Sequence, residues 1–458
     1  MMKGRCILKK RTLQLSMFLL LCVFILNASG CGNSNNSPVA NSYAGSKYET
    51  TEKNETANNG YTVTGTKDFS DGYAWILFKQ GENGQSKRAC IDTNGKIQFV
   101  LDDIVEGNLT NEKVRDFKSG YAVVKDNSNN TYIIDTKGNI VSSSKSGNYD
   151  HIVCYGDGYF LTEKKNNNLH EVNYTFSVID ASENYITKDC FSYDSEITDY
   201  SRFEYRGEAV FSHSIGGVNG KRDYECVNAK TGKTFKLNLL NAFYDFEPNG
   251  SIIVSESHIT QILHSDGSVT NVNVEDCYAK SHLSNNYFVY KNPRYSADDS
   301  LFIYDISTNQ SHELYSCKKG IEANVCGYDE NGFLLDITDN SNGYNNAKHW
   351  FVIVDYQGNE LFAPIEGTPH TKPFTNIALS CNRIIVQKNQ NQLTGENTDF
   401  YDNKGNLIDI NNKDMYHFGD IYKDNLLIVN TKGGEIVNAN NYIDINGNLL
   451  FPDGTITL

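Results

Sequence analysis

Between Tyr61 and Leu458 the chain writes one short phrase about nine times, at spacings of roughly 40 to 50 residues, the period of a blade-type repeat. A chain built from one small unit can cover that unit's faces only by stacking it on the next copy, so the repeat restricts the fold more than any other feature. The phrase has two halves. The first is an aromatic residue, a turn and a strand-forming run, as in Phe69-Ser-Asp-Gly-Tyr-Ala-Trp-Ile-Leu-Phe78; the second is a hairpin of the form Ile91-Asp-Thr-Asn-Gly-Lys-Ile97.

Asp-x-x-Gly between two strand-like runs suits a type I turn closed by a G1 bulge. The Asp accepts hydrogen bonds from backbone N–H groups of the turn, and the Gly takes the left-handed conformation that a Cβ disfavours. The full form occurs at Asp92/Gly95, Asp135/Gly138, Asp355/Gly358, Asp402/Gly405 and Asp444/Gly447. Four copies have drifted: Asp180 with Glu183-Asn184, Asn228 with Gly232, His264 with Gly267, and Asp305 with Thr308-Asn309. Because Asn tolerates left-handed geometry, the copies that carry it are expected to turn through it.

The first half recurs as Phe117-Lys-Ser-Gly-Tyr-Ala-Val-Val124, Tyr155-Gly-Asp-Gly-Tyr-Phe-Leu161, Tyr205-Arg-Gly-Glu-Ala-Val-Phe211 and Phe246-Glu-Pro-Asn-Gly-Ser-Ile-Ile-Val254, then more loosely at Leu283, Tyr328, Leu379 and Tyr422. Each unit supplies three clear strands and leaves room for a fourth, with turn signals roughly every 10 residues and no helical periodicity. The expectation is an all-β fold, a β-propeller-like array of about eight or nine short-stranded blades, because radial stacking covers both faces of each sheet and leaves only short edges. A β-solenoid has the same repeat length and is the alternative. If the array closes, Tyr61-Thr-Val-Thr-Gly65 should lie beside the final unit, around Tyr442 to Leu458, and complete its sheet.

These residues resemble the WG-repeat family, whose unit reads aromatic-x-x-Gly-x-Ala-x-Val, then Lys-Trp-Gly-Tyr-Ile-Asp-x-x-Gly-Lys. The likeness spans most of Phe69 to Pro452. Arg88-Ala89-Cys90 stands where the family has Trp-Gly-Tyr, while the Ile-Asp-x-x-Gly-Lys/Asn turn and the Gly-Tyr-Ala strand start are kept. The resemblance implies repeat-mediated binding and assigns no functional residue.

The N-terminus addresses location. Lys3, Arg5, Lys9, Lys10 and Arg11 form a basic region, Met17 to Leu26 an apolar core, and Asn27-Ala-Ser-Gly-Cys31 a small-residue processing site. The apolar run is shorter than the ~20 residues of a membrane-spanning helix. Ala28-Ser29-Gly30-Cys31 resembles a bacterial lipobox, which implies lipidation at Cys31, removal of residues 1–30 and an extracytoplasmic, membrane-anchored protein; secretion without the lipid is the other reading. Residues 31–60, rich in Asn, Ser, Thr and Ala, read as a flexible tether. The remainder, 61–458, reads as one repeat domain.

The leader holds five of the 41 basic residues and no acids, so the chain from Cys31 onward has 36 bases against 56 acids, a formal charge of −20. Such a surface disfavours nucleic acid and anionic lipid headgroups. Abundant Asn and Tyr suit a glycan partner, since aromatic faces stack on sugars and amides bond hydroxyls; they equally suit plain strands and turns. An unknown surface protein is the other partner expected.

Eight cysteines follow Cys31, without a Cys-x-x-Cys pair; Cys317 and Cys326 are closest in sequence and either pair or serve as small apolar residues. The ten histidines stand singly and read as loop or strand-surface residues. Gly232-Lys-Thr234 sits in a hairpin rather than a phosphate loop. Asp126-Asn-Ser-Asn-Asn130 and Asp339-Asn-Ser-Asn-Gly343 are oxygen-rich and read as solvated turns before calcium loops. No catalytic residue, cofactor or metal ligand is designated. Two classes stay open: a lipid-anchored binding or scaffolding module, and a propeller enzyme acting on cell-surface glycans or peptides with acids or metal ligands gathered at a central channel from distant blades.

Overall fold

The computed structural model describes the chain from Tyr61 to Thr457, with interruptions of which the longest are 102–108, 195–202, 215–221, 292–299, 367–375, 388–396 and 432–438; over 237–267, at 269 and over 272–286 no side chain is described. The leader, Cys31, the tether, the His264 turn and Cys277 lie outside the described residues.

Among the described residues, nine antiparallel sheets follow one another along the chain. We number them as blades: 1, Tyr61–Leu101; 2, Tyr121–Ser143; 3, His151–Tyr193; 4, Phe203–Leu239; 5, Phe243–Val272; 6, Tyr278–Tyr315; 7, Ile321–Glu366; 8, Asn376–Ile408; 9, His417–Asp444. Each is a meander in which every strand pairs with its sequence neighbour. Blades 2 and 9 have three strands, and a single bridge marks the fourth position in each, Val114 opposite Val124 and Ile443 opposite Leu449. First strands approach one another between blades 3 and 4, 6 and 7, and 7 and 8, which sets the first strands of these blades at the inside of the array.

Stacking buries the repeat's apolar residues between blades. In four of the phrases the opening aromatic is a plug, Phe69, Phe117, Tyr155 and Tyr422 being buried, whereas Tyr205 and Tyr328 are half-buried. Trp75 of blade 1 packs on Phe117 of blade 2 and donates its Nε1–H to the Arg115 carbonyl at 3.0 Å. Similar cores join blades 2 and 3 through Val123, Ile133 and Phe160, and blades 8 and 9 through Phe400, Phe418 and Leu427.

The array closes. Val63, Phe69 and Ile76 of blade 1 share one core with Leu426 and Tyr442 of blade 9 and with Phe451 and Ile456 beyond it. Gly72 donates its N–H to Asp424 Oδ2 at 2.9 Å, and Lys423 reaches Asp68 at the same distance. The C-terminal strand Thr455–Ile456 pairs with Tyr61–Thr66. Tyr61–Thr66 lies beside the final unit, as expected, but the sheet completed is the other one: the C-terminus adds a fifth strand to the first sheet, and Tyr61–Thr66 pairs within its own blade. Tyr61–Thr66 has a partner in Tyr73–Gln80 immediately downstream, so the exposed edge available for pairing is on blade 1. An open solenoid, with its ends apart, is excluded.

The turns match their chemistry. In all five full copies the Asp Oδ1 accepts the N–H groups two and four residues on, at 2.8–3.0 Å, as Asp444 does from Asn446 and Asn448. The Gly has φ between 75 and 86°. Where Asn follows the Gly, its side-chain amide fills Oδ2: Asn139, Asn359, Asn406 and Asn448 do so. In the drifted copy at Asp180 the left-handed residue is Glu183, φ 63°, not Asn184. Asn184 is instead engaged as the cap of Asp180, through both backbone and side chain, and Glu183 is held by the Ser142 hydroxyl at 2.6 Å. At Asp305 the left-handed residue is Asn309, as expected.

Candidate ligand cleft on blade 3

Blade 3 is longer than its neighbour. Its last three strands, Tyr159–Asn167, Val172–Asp180 and Tyr185–Tyr193, have nine residues each, whereas the blade 2 strands Tyr121–Lys125, Thr131–Asp135 and Ile140–Ser143 have five, five and four. Four extra residues at ~3.3 Å each extend the sheet by about 13 Å past the blade that covers it.

The sequence changes character where the cover ends. Cross-strand partners share a face, and on the face toward blade 2 the pairs run Phe160 with Ile179, Thr162 with Ser177, Lys164 with Thr175, and Asn166 with Asn173. Phe160 and Ile179 are buried against blade 2. From Thr162 onward the same face is entirely polar. Together with Tyr185, Lys188 and Asp189 from the fourth strand and Asn148 from the preceding connection, these residues line an open cleft of about 530 Å³.

A bulge supplies the far wall. Phe176 pairs with Phe191 but Val178 pairs with Thr187, so the fourth strand carries two extra residues between these points. Asp189 takes φ 51° there, and its N–H is held by the Ser177 hydroxyl at 3.1 Å. Bulges re-aim side chains beside functional sites. Here Lys188 stands with its ammonium 4.5 Å from the centre of the Tyr185 ring, a cation–π contact.

The floor is only partly satisfied. The Asn166 amide donates to Thr175 Oγ1 at 3.0 Å, and Thr162 donates to the Ser177 carbonyl at 3.0 Å. Asn173 Oδ1 is buried and accepts no hydrogen bond from the protein. An acceptor left without a donor costs about 1–3 kcal/mol, which a hydroxyl-bearing ligand would recover.

The residues that the sequence singled out do not converge on this cleft or on one another. Asp92, Asp135, Asp355, Asp402 and Asp444, with Gly95, Gly138, Gly358, Gly405 and Gly447, sit one per blade at the turn between third and fourth strands, and each carboxylate is engaged within its own turn. Asp126 behaves alike: its oxygens accept from Ser128, Asn130 and Tyr132, and Lys145 pairs with it at 3.3 Å, so this loop is a capped turn. Gly232 is left-handed in a hairpin, as read. Seven cysteines, Cys317 and Cys326 among them, are free thiols. His213 corrects the reading of histidines as surface residues: it is buried, stacks on Phe203 at 4.1 Å and meets the Tyr193 hydroxyl at 2.6 Å. Tyr193 in turn donates to Glu225, a neighbour that the topology alone supplies. No group of three or more His, Cys, Asp or Glu side chains able to hold a metal is present among the described residues. The cleft had a sequence signal, the alternation Thr162-x-Lys164-x-Asn166 against Asn173-x-Thr175-x-Ser177, but a polar face reads as a solvated one until the height of the neighbouring blade is known.

No protein-family model matches the chain, and no curated protein matches it in sequence. Solved structures similar to it include an oligogalacturonate lyase in complex with manganese, 11% identical, covering 65% of this chain and 92% of that one, with a TM-score of 0.28. The β-propeller domain of the Trilobed protease from Pyrococcus furiosus, which has an open velcro topology, is 8% identical over 77% of this chain and 99% of its own, with a TM-score of 0.32. Prolyl oligopeptidase B from Galerina marginata, in its apo form, is 12% identical over 74% and 57%, with a TM-score of 0.28. The propeller-like architecture of this chain rests on its own strand pairing and closure.

Proposed function

We propose that this protein is an extracytoplasmic binding module, anchored through lipidated Cys31 and built of WG-like repeats, that takes a glycan in the blade 3 cleft. The observation that carries the ligand class is the exposed polar face of blade 3: amides, hydroxyls, one unsatisfied acceptor at Asn173 and one tyrosine ring, arranged in a concavity. Polar recognition by amides and hydroxyls of this kind suits sugar rings better than peptide, which would seek an apolar groove or a free strand edge.

The test is binding of the purified protein to a panel of immobilised cell-surface glycans. Tyr185→Ala and Asn173→Ala should each weaken capture at least fivefold, while Leu407→Ala, at an exposed site on blade 8, should leave it unchanged. Equal capture by all variants removes the cleft from the reading. The anchor is tested separately: Cys31→Ala should abolish detergent-phase partition, and unchanged partition with normal cleavage removes the lipoprotein reading.

A second reading, an enzyme with acids near the channel, draws on Glu322 and Asp336 in blade 7. Glu322 lies on the innermost strand, Asp336 on the next, where burial and then the charge of Glu322 push its carboxyl up to about 6. A carboxyl poised there can exchange a proton near neutral pH. Glycan cleavage by the wild-type protein and its loss in Asp336→Asn would favour this reading.

A further inference from the structure

Three charged side chains line the cleft: Lys164, Lys188 and Asp189. Two ammonium groups against one carboxylate is the reverse of the chain as a whole, in which 56 acids outnumber 41 bases. Both lysines are exposed, unlike Lys67, Lys413 and Lys291, which are partly or wholly buried and paired with Asp116 at 2.7 Å, Asp399 at 3.1 Å and Glu322 at 3.3 Å. Lys164 and Lys188 have no ion pair among the described residues, and Lys188 is held at the cleft wall on the Tyr185 ring. Lys165, whose side chain alternates to the other face, lies over Tyr174 and adds nothing to the cleft.

From this local surplus we infer that the ligand carries an anionic group, and that the cleft selects carboxylate-bearing sugars, uronates, over neutral ones. The inference rests on the glycan-binding reading. The amides and hydroxyls of Asn166, Asn173 and Thr175 serve ring hydroxyls, which neutral and acidic sugars share. Lys164 and Lys188 supply the discrimination. Because the cleft is open to solvent, each ammonium contributes modestly, about three- to fivefold in affinity. The contribution is also sensitive to salt, since the Debye length shrinks from about 14 Å at 50 mM to about 6 Å at 300 mM.

The experiment is isothermal titration of the full-length protein in detergent with a glucuronate trimer and with the glucose trimer of the same linkage, at 50 and 300 mM NaCl. Lys164→Gln, Lys188→Gln, the double variant and Tyr185→Ala are compared, each checked for an unchanged melting temperature. The uronate should bind about tenfold more tightly than the neutral trimer at 50 mM salt. That advantage should fall to about twofold or less at 300 mM and in the double variant, whereas Tyr185→Ala should weaken the neutral trimer too, which the lysine variants leave unchanged. Equal, salt-independent affinity for the two trimers overturns the inference and leaves the glycan reading standing. Binding of neither trimer overturns both.

Discussion

Thr62, in the first strand of the array, and Thr455, three residues before Leu458, are direct partners across an antiparallel pair. Cross-strand partners hold their Cα atoms about 4.5–5.5 Å apart, within the span of a disulfide. Thr62→Cys with Thr455→Cys, in a background lacking native thiols, should therefore crosslink rapidly under mild oxidation. The readout is the mobility of the denatured chain with and without reductant. Absence of a crosslink would show that the ring is open in solution. Ile456 is buried in the closing core, so Ile456→Ala should cost about 2–4 kcal/mol of unfolding free energy.

Gly72 and Gly138 share one backbone conformation, φ 80° and 79°, but not one environment. A Cβ on Gly72 would meet nothing within 4 Å, whereas on Gly138 it would lie 2.7 Å from the Phe99 ring. Gly72→Ala should cost about 1 kcal/mol, the strain of left-handed backbone alone. Gly138→Ala should cost about 2–3 kcal/mol, because the ring that seals blade 1 against blade 2 must also move. Urea denaturation measures both; equal losses would mean that Phe99 does not hold its place against the turn.

Asp444 illustrates the acid response of the turns. Burial raises its pKa, but the N–H and side-chain amide of Asn448 and the groups of Asn446 outweigh this and hold it below 3.8. A carboxyl depressed on folding contributes stability that is complete above its unfolded pKa and lost as pH falls through its folded value. Asn448→Ala removes one donor, so the Asp444 titration seen by NMR should move upward. Stability at pH 7 should drop by about 1 kcal/mol or less, with the deficit vanishing at pH values below the Asp444 titration.

Asp336 has the opposite sign. Its carboxyl, raised to about 6 from 3.8 by burial and by Glu322, binds its proton more tightly in the folded chain. Stability therefore falls as pH rises from about 4 to about 6 and stays reduced above that. Asp336→Asn removes the charge and should stabilise the protein at pH 7.5 by about 2–3 kcal/mol, with little effect at pH 4. Melting temperatures at the two pH values decide it; a loss of stability at both would mean that the carboxylate is well solvated.

The repeat phrase alone determined the local structure. Asp402 and Gly405 make one turn whatever surrounds them, because an Asp oxygen reaches the N–H groups two and four residues on and only the left-handed region closes the loop. The spacing of such turns determined the meander, and the apolar run Ala74-Trp-Ile76, buried at all three positions, marks a strand covered on both faces. Closure was a different matter. Nothing local in Thr455–Ile456 specifies Tyr61–Thr66 as its partner; the accumulated rotation of nine blades brings them together, and that rotation depends on packing between sheets. The cleft, too, is a tertiary property. Lys164, Asn166, Asn173 and Tyr185 are ordinary surface residues of a strand until blade 2, with strands of four or five residues, stops short and leaves them facing a void. Sequence sets what each blade offers, but the difference in height between two neighbouring blades is decided only when they are stacked.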